Sequence, residues 1–186
     1  MAETSVKGEN FSESGVFLLE VPEENFFSVN VDTIKTLMTQ GSSGLYLSLN
    51  RPYQNLVKML KDAGVATNKL SFIDAASSQG SVSPKKSAKC VFISQDLDID
   101  ELTKAIYQML AKMKGTQKFL FIDSFITLTL YQPLSESLRF AEFLSHIAKK
   151  GDAARIVINV PLGLAHSKVV KNVVLHVNKV VQIDGK

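Results

Sequence analysis

Lys118-Phe119-Leu120-Phe121-Ile122-Asp123-Ser124 is the stretch on which the reading of this chain turns. Its apolar residues run in succession without polar alternation. That pattern describes a strand buried on both faces, as in parallel sheets, rather than one with a face in water. The strand ends in an acid and then a hydroxyl. Similar runs recur at Gly15–Val21, Gly44–Leu49, Lys69–Asp74, Cys90–Ile93, Arg155–Val160 and Val180–Ile183. Pro22 cannot donate to a ladder, so the first strand is expected to end before it.

Between these runs the apolar spacing becomes helical. Val31, Ile34, Leu37 and Met38 fall on one face over residues 29–40, with Gly41 as the stop. Leu56, Val57, Leu60 and Ala63 follow Pro52, and Gly64 closes that helix. Leu102, Ala105, Ile106, Met109 and Leu110 define a helix from Asp98 or Asp100 to about Met113. Leu134, Leu138, Ala141, Leu144, Ile147 and Ala148 define another from Pro133 to Lys150, ended by Gly151, and a short helix is expected near Ser167–Val174. Buried strands separated by amphipathic helices predict an α/β domain with a mainly parallel central sheet and helices on both faces.

The 186 residues suit a single domain, and 45% hydrophobic content is enough for a core. Residues 1–14 are read as a flexible N-terminus. Residues 75–89, AASSQGSVSPKKSAK, are read as a flexible Ser/Lys-rich loop. A net charge of +3 is mild, and basic and acidic residues are interspersed along the chain. That distribution argues against nucleic-acid binding, which concentrates positive charge on one face. The single cysteine, Cys90, excludes an internal disulfide and favours a cytoplasmic setting. No apolar run approaches the roughly 20 residues of a membrane span. The start, Met1-Ala2-Glu3-Thr4-Ser5, does not read as a signal peptide.

The order of elements resembles the RecA-like ATPase fold, and within it the archaeal and bacterial KaiC/RadA-like group. The residues that carry the resemblance are Gly44–Arg51, Asn68–Asp74, Phe119–Ser124 and Arg155–Val160. It spans roughly residues 15–184 and implies a three-layer fold. It also implies that Asp123 and Ser124 occupy the Walker B position, where an aspartate helps hold Mg²⁺ beside a nucleotide. The rest of that apparatus departs from the pattern. The family's first strand runs into a G-x-x-x-x-G-K-[ST] loop; here the stretch is Glu20-Val21-Pro22-Glu23-Glu24-Asn25-Phe26-Phe27-Ser28. It has no glycine to bring backbone near a phosphate and no lysine to reach one, and its carboxylates would repel a triphosphate. Where the family places an acid after the second strand, this chain has Asn50-Arg51, and asparagine accepts no proton.

Each candidate residue has a structural alternative. Asp123 could hold a metal, or cap the next helix, or bond loop amides, and without the glycine loop the structural roles are favoured. Glu20, Glu23 and Glu24 could form an acid/base or metal cluster, or lie on a solvated loop. Ser83-Pro84-Lys85-Lys86 looks like a basic contact or phosphorylation motif, or solvated loop. His146 is placed on or near the apolar face of its helix. With His166 and His176 it is too scattered in sequence for a ligand set. Cys90 reads as a core thiol. Phe26 and Phe27 cannot both face the core easily; one is expected to plug the vacated nucleotide cleft or to mark a partner surface.

The expected function is a non-catalytic RecA/KaiC-like domain acting through protein–protein interaction, with itself or a related ATPase, without conventional ATP hydrolysis and with no cofactor. Two alternatives stay open. One is a nucleotide-binding protein that holds Mg-nucleotide through Asp123, Ser124 and an unconventional loop. The other is a nucleic-acid module using Lys85, Lys86, Lys89, Lys168, Lys171 and Lys179.

Overall fold

The computed structural model describes residues 11, 13–39, 41–77, 87–94, 96–115, 117–150 and 155–183. The Ser83–Lys86 motif, the expected stop at Gly151 and most of the 1–14 stretch lie outside them. Among the described residues seven strands form one sheet: β1 (Gly15–Val21), β2 (Ser43–Ser48), β3 (Leu70–Asp74), β4 (Cys90–Phe92), β5 (Lys118–Asp123), β6 (Arg155–Pro161) and β7 (Lys179–Gln182). Six described α-helices connect them: α1 (Phe26–Thr39), α2 (Tyr53–Asp62), α3 (Ile99–Lys112), α4 (Phe125–Tyr131), α5 (Leu134–Lys150) and α6 (Lys168–Val174). The strand order is β4-β3-β2-β5-β6-β1-β7, and every pairing is parallel.

Strand parity sorts the apolar side chains into two cores. Val16 and Leu18 of β1, Leu45 and Leu47 of β2, and Leu120 and Ile122 of β5 face α3, α4, α5 and α6. Phe17, Leu19, Tyr46, Phe119 and Phe121 face α1 and α2 on the other side. This is the three-layer α/β architecture expected from the sequence. Phe11 is buried and its ring meets Phe17 edge-on at 5.2 Å.

Most expected boundaries fall within a residue or two of the observed ones, with two exceptions. α1 begins at Phe26 rather than near residue 29, directly after a single 3-10 turn at Glu23–Asn25. α4 has no counterpart among the expected elements. Five of its seven residues, Phe125, Ile126, Thr127, Thr129 and Tyr131, are β-branched or aromatic types that favour strands. Tertiary packing overrides that preference: Phe125 and Leu128 are fully buried, and Phe125 stacks on Phe140 of α5 at 6.1 Å.

The neighbours β1 and β6 send their following helices to opposite faces of the sheet, α1 to one and α6 to the other. The carboxyl ends of these strands therefore flank the crevice where open α/β sheets place ligands.

Candidate functional site

On β5, Phe119 and Phe121 face the α1–α2 layer, so Asp123, two residues further on, faces it too. β2 lies beside β5 with Tyr46 opposite Phe121 and Ser48 opposite Asp123. From that register Tyr46 Oη donates to Asp123 Oδ2 at 2.7 Å. Asn50 Nδ2, just beyond β2, donates to Asp123 Oδ1 at 3.3 Å. The Asn50 carbonyl oxygen accepts in turn from Thr127 Oγ1 of α4. On β6, Asn159 Nδ2 donates to Asn30 Oδ1 of α1, and its backbone carbonyl accepts from Ser124 Oγ at 3.3 Å. Tyr46, Asp123, Ser124, Asn30 and Asn159 are all buried. They form one polar cluster joining three adjacent strands to α1.

Neither structural role expected of Asp123, helix cap or binder of loop amides, is the one it takes. Its carboxylate is held by side chains. The capping role belongs to Asp74, at the end of β3. Asp74 accepts from the backbone amide of Tyr53 at 2.7 Å, which starts α2, and from those of Ala76 at 2.9 Å and Ser77 at 2.8 Å. Ser124 precedes α4 but makes no capping hydrogen bond with its side chain.

Burial pushes the Asp123 carboxyl above the ordinary aspartate range, while the hydrogen bond from Tyr46, that from Asn50, the charge of Arg51 and Asn30 oppose the rise. Burial, and then the Asp123 carboxylate, hold the Tyr46 phenol well above its usual value, so it stays a donor. The sign of the resulting pH dependence follows. With its folded-state pKa raised, Asp123 binds its proton more tightly folded than unfolded. The stability this site contributes is full below the unfolded value and is lost as pH rises through the folded one. Urea unfolding of the wild type and Asp123→Asn from about pH 3.5 to 6 reads this out, since other carboxylates cancel in the difference. The wild type should lose stability relative to the variant as pH rises; a relative gain would contradict the assignment.

The connection between β1 and α1 is short. Only Pro22 and the Glu23–Asn25 turn separate β1 from α1. Phe26 and Phe27 occupy the first turn of α1 and, against expectation, both pack on the α1–α2 core. A helix N-terminus at the layer's edge lets neighbouring side chains splay to either side of the same cluster. The Arg51 guanidinium lies over the Phe27 ring, 5.7 Å from its centroid, so the connection after β2 closes onto the connection after β1.

The remaining candidates separate. Glu23 and Glu24 are exposed in their turn, and Glu20 lies within β1. No group of three His, Cys, Asp or Glu among the described residues is placed to hold a metal ion. Cys90 is buried, and its thiol is pushed up to about 12, first by burial and then by the Asp74 carboxylate. A thiol so protonated is a poor nucleophile. His146 is exposed on the outer side of α5 rather than on its apolar face, because residue 146 falls between the buried positions Leu144 and Ile147. It lines a cleft together with His176, while His166 is exposed elsewhere.

No family model matches the sequence, and no curated protein does. Solved structures do match it. A KaiC-like protein from the hyperthermophilic archaeon Pyrococcus horikoshii aligns over 94% of this chain and 74% of its own, with a TM-score of 0.61 and 15% identity. The fold is RecA/KaiC-like. An uncharacterized P. horikoshii protein, solved in complex with an unknown peptide, aligns over 93% of this chain and 78% of its own, with a TM-score of 0.69 and 14% identity. A third protein of that organism matches at a TM-score of 0.60 and 12% identity, over 94% and 84% of the two chains.

Tyr46, Asn30, Asn159 and Thr127 complete the cluster around Asp123, and none was a candidate from the sequence. Tyr46 reads there as one more apolar residue of a strand. The only available signal was a hydroxyl inside an otherwise apolar run, which when buried needs a partner.

Proposed function

We propose that this chain is a RecA/KaiC-like domain that does not hydrolyse ATP by the conventional route and acts by binding another protein chain. The observation that carries the reading is the contact between the connections that follow β1 and β2, where the Arg51 guanidinium lies over the Phe27 ring. The one acid at the family's metal-binding position spends both carboxylate oxygens on Tyr46 and Asn50. A phosphate chain would have to displace the aromatic-cation contact, and a metal would have to compete with buried donors. The peptide bound to a structurally similar archaeal protein adds support for a protein partner. No helix among the described residues is long and apolar enough to cross a membrane.

Thermal-shift titration with Mg-ATP, Mg-ADP and Mg-GTP, paired with a light-scattering mass, tests the reading. A ligand that binds the folded state stabilises it by about 2.7 kcal/mol at 100 times its Kd. For a chain of this size that is a rise of roughly 5–10 °C. No shift is expected at millimolar nucleotide. A shift of that size, with ATP turnover abolished by Asp123→Ala, would overturn the proposal in favour of a nucleotide-using protein. The mass then says whether the partner is another copy of this chain.

A further inference from the structure

A second site lies on the α1–α2 side of the sheet, two strands away from Asp123, where α2 runs past β3. β4 is the edge strand there, and the helix that follows it, α3, packs on the opposite face of the sheet. The flank of α2 is left with a pocket of about 270 Å³. Tyr53, Val57 and Lys61, successive turns of one face of α2, form a wall of it. Phe72 of β3 and Lys89, just before β4, line it as well. The Tyr53 ring meets Phe72 edge-on at 5.1 Å and Phe92 of β4 at 6.3 Å.

The charge of this pocket is one-sided. Among the described residues that line it Lys61 and Lys89 are basic and none is a carboxylate. Acids close by are engaged elsewhere. Asp62, next in the chain to Lys61, pairs with Lys58 at 2.7 Å. Asp74, two residues beyond Phe72 on β3, is buried and accepts from the amides of Tyr53, Ala76 and Ser77. Lys61 pairs with no carboxylate among the described residues. Lys89 Nζ is anchored at the rim, donating to the Asn68 carbonyl at 2.8 Å, a neutral partner that leaves its charge unmatched.

We infer that this pocket binds a small phosphate monoester, its head on Lys61 and Lys89 and its apolar or aromatic body against Tyr53, Val57 and Phe72. An apolar, aromatic lining with a few convergent polar groups is the composition of small-molecule sites. Two unmatched cations are satisfied by a head carrying close to two negative charges, as a phosphate monoester does at neutral pH, and only half satisfied by a carboxylate. The volume falls just below the roughly 300–1,000 Å³ of drug-sized sites, which suits one ring and its head and is too small for a whole nucleotide. This site is independent of the reading given to the Asp123 crevice.

Chemical-shift mapping on the isotope-labelled full chain tests this, with phenyl phosphate as the probe and phenol, inorganic phosphate and 3-phenylpropionate as controls. Millimolar phenyl phosphate should shift the amides of Tyr53, Val57, Lys61 and Phe72, less so as salt is raised. Each control lacks the head, the body or the second charge, and each should bind at least about threefold more weakly. Lys61→Gln/Lys89→Gln changes two exposed side chains and should weaken phenyl phosphate about five- to tenfold. Val57→Trp should fill the pocket and abolish binding, and the lysine pair keeps the test intact if that variant does not fold. No shift at these amides, a control that binds as tightly as phenyl phosphate, or unchanged affinity in the lysine pair would each overturn the inference. A thermal shift with Mg-nucleotide that survives in the lysine pair belongs to the Asp123 crevice, so the two proposals fail separately.

Discussion

Gly44→Ala is expected to destabilise the protein by about 3 kcal/mol or more, or to prevent folding. Gly44 lies on β2 with Phe119 of β5 on one side and Leu70 of β3 on the other in register. A Cβ there would sit 2.1 Å from Phe119 Cζ, 2.5 Å from Cε2 and 2.7 Å from Leu70 Cδ2. Flexible side chains at a surface could swing away. Phe119 is fully buried, and its ring occupies the volume that the missing side chain leaves, so it can move only by displacing other core groups. Chemical denaturation measures the loss. Phe119→Leu in the Gly44→Ala background should recover part of it, making the pair strongly non-additive. A Gly44→Ala protein within about 1 kcal/mol of the wild type would show that the core has slack this packing denies.

The second large effect is expected at Asp123. Asp123→Ala removes the acceptor for the Tyr46 hydroxyl and the Asn50 amide, leaving the fully buried phenol without its partner. Stranding buried donors costs about 1–3 kcal/mol each, and the small cavity adds to it. Relief of the carboxylate's own burial offsets part of this, so a net loss of about 2–4 kcal/mol is expected. Tyr46→Phe should cost about 1.5–3 kcal/mol by the same bond. Once Asp123 is gone, the Tyr46→Phe step should cost little, because the hydroxyl then has nothing to lose. A double-mutant cycle in urea gives the coupling directly. Additive losses would mean that the two groups do not depend on each other, contrary to their 2.7 Å contact.

How much of this was legible beforehand differs between fold and site. The strands announced themselves, because a parallel sheet buried on both faces leaves uninterrupted apolar runs such as Phe119–Ile122. Helices with a clear stripe, such as α3 and α5, were equally visible, and of the two starts open for α3, Asp98 or Asp100, it is Asp98 that caps it, through the amides of Asp100 and Glu101. α4 was not legible, since its local preference contradicts its conformation and only burial against Phe140 decides the matter. The partners of Asp123 were hidden for another reason. Asn30 and Asn159 are 129 residues apart in the chain, and Tyr46 and Asp123 are 77 apart. No local pattern encodes such pairs; they arise from strand register, which becomes known only with the sheet order. The same applies to Gly44, whose role is defined by a ring on a neighbouring strand.

The place of β1 in the sheet has a consequence for how the molecule comes into being. The strand at Gly15–Val21 takes both of its neighbours from late in the chain, β6 at Arg155–Pro161 and β7 at Lys179–Gln182. During synthesis it leaves the ribosome with two open edges and an apolar sequence, and α1 follows with no sheet beneath it. β2, β3, β4 and β5 can assemble among themselves in the meantime. The first strand can enter only when β6 is available to receive it, an encounter that carries a high loop-closure entropy and sets a slow, non-local step. Until then GVFLLEV is an unprotected template for pairing with other chains, and a nascent chain stalled between β5 and β6 would keep both of its edges open.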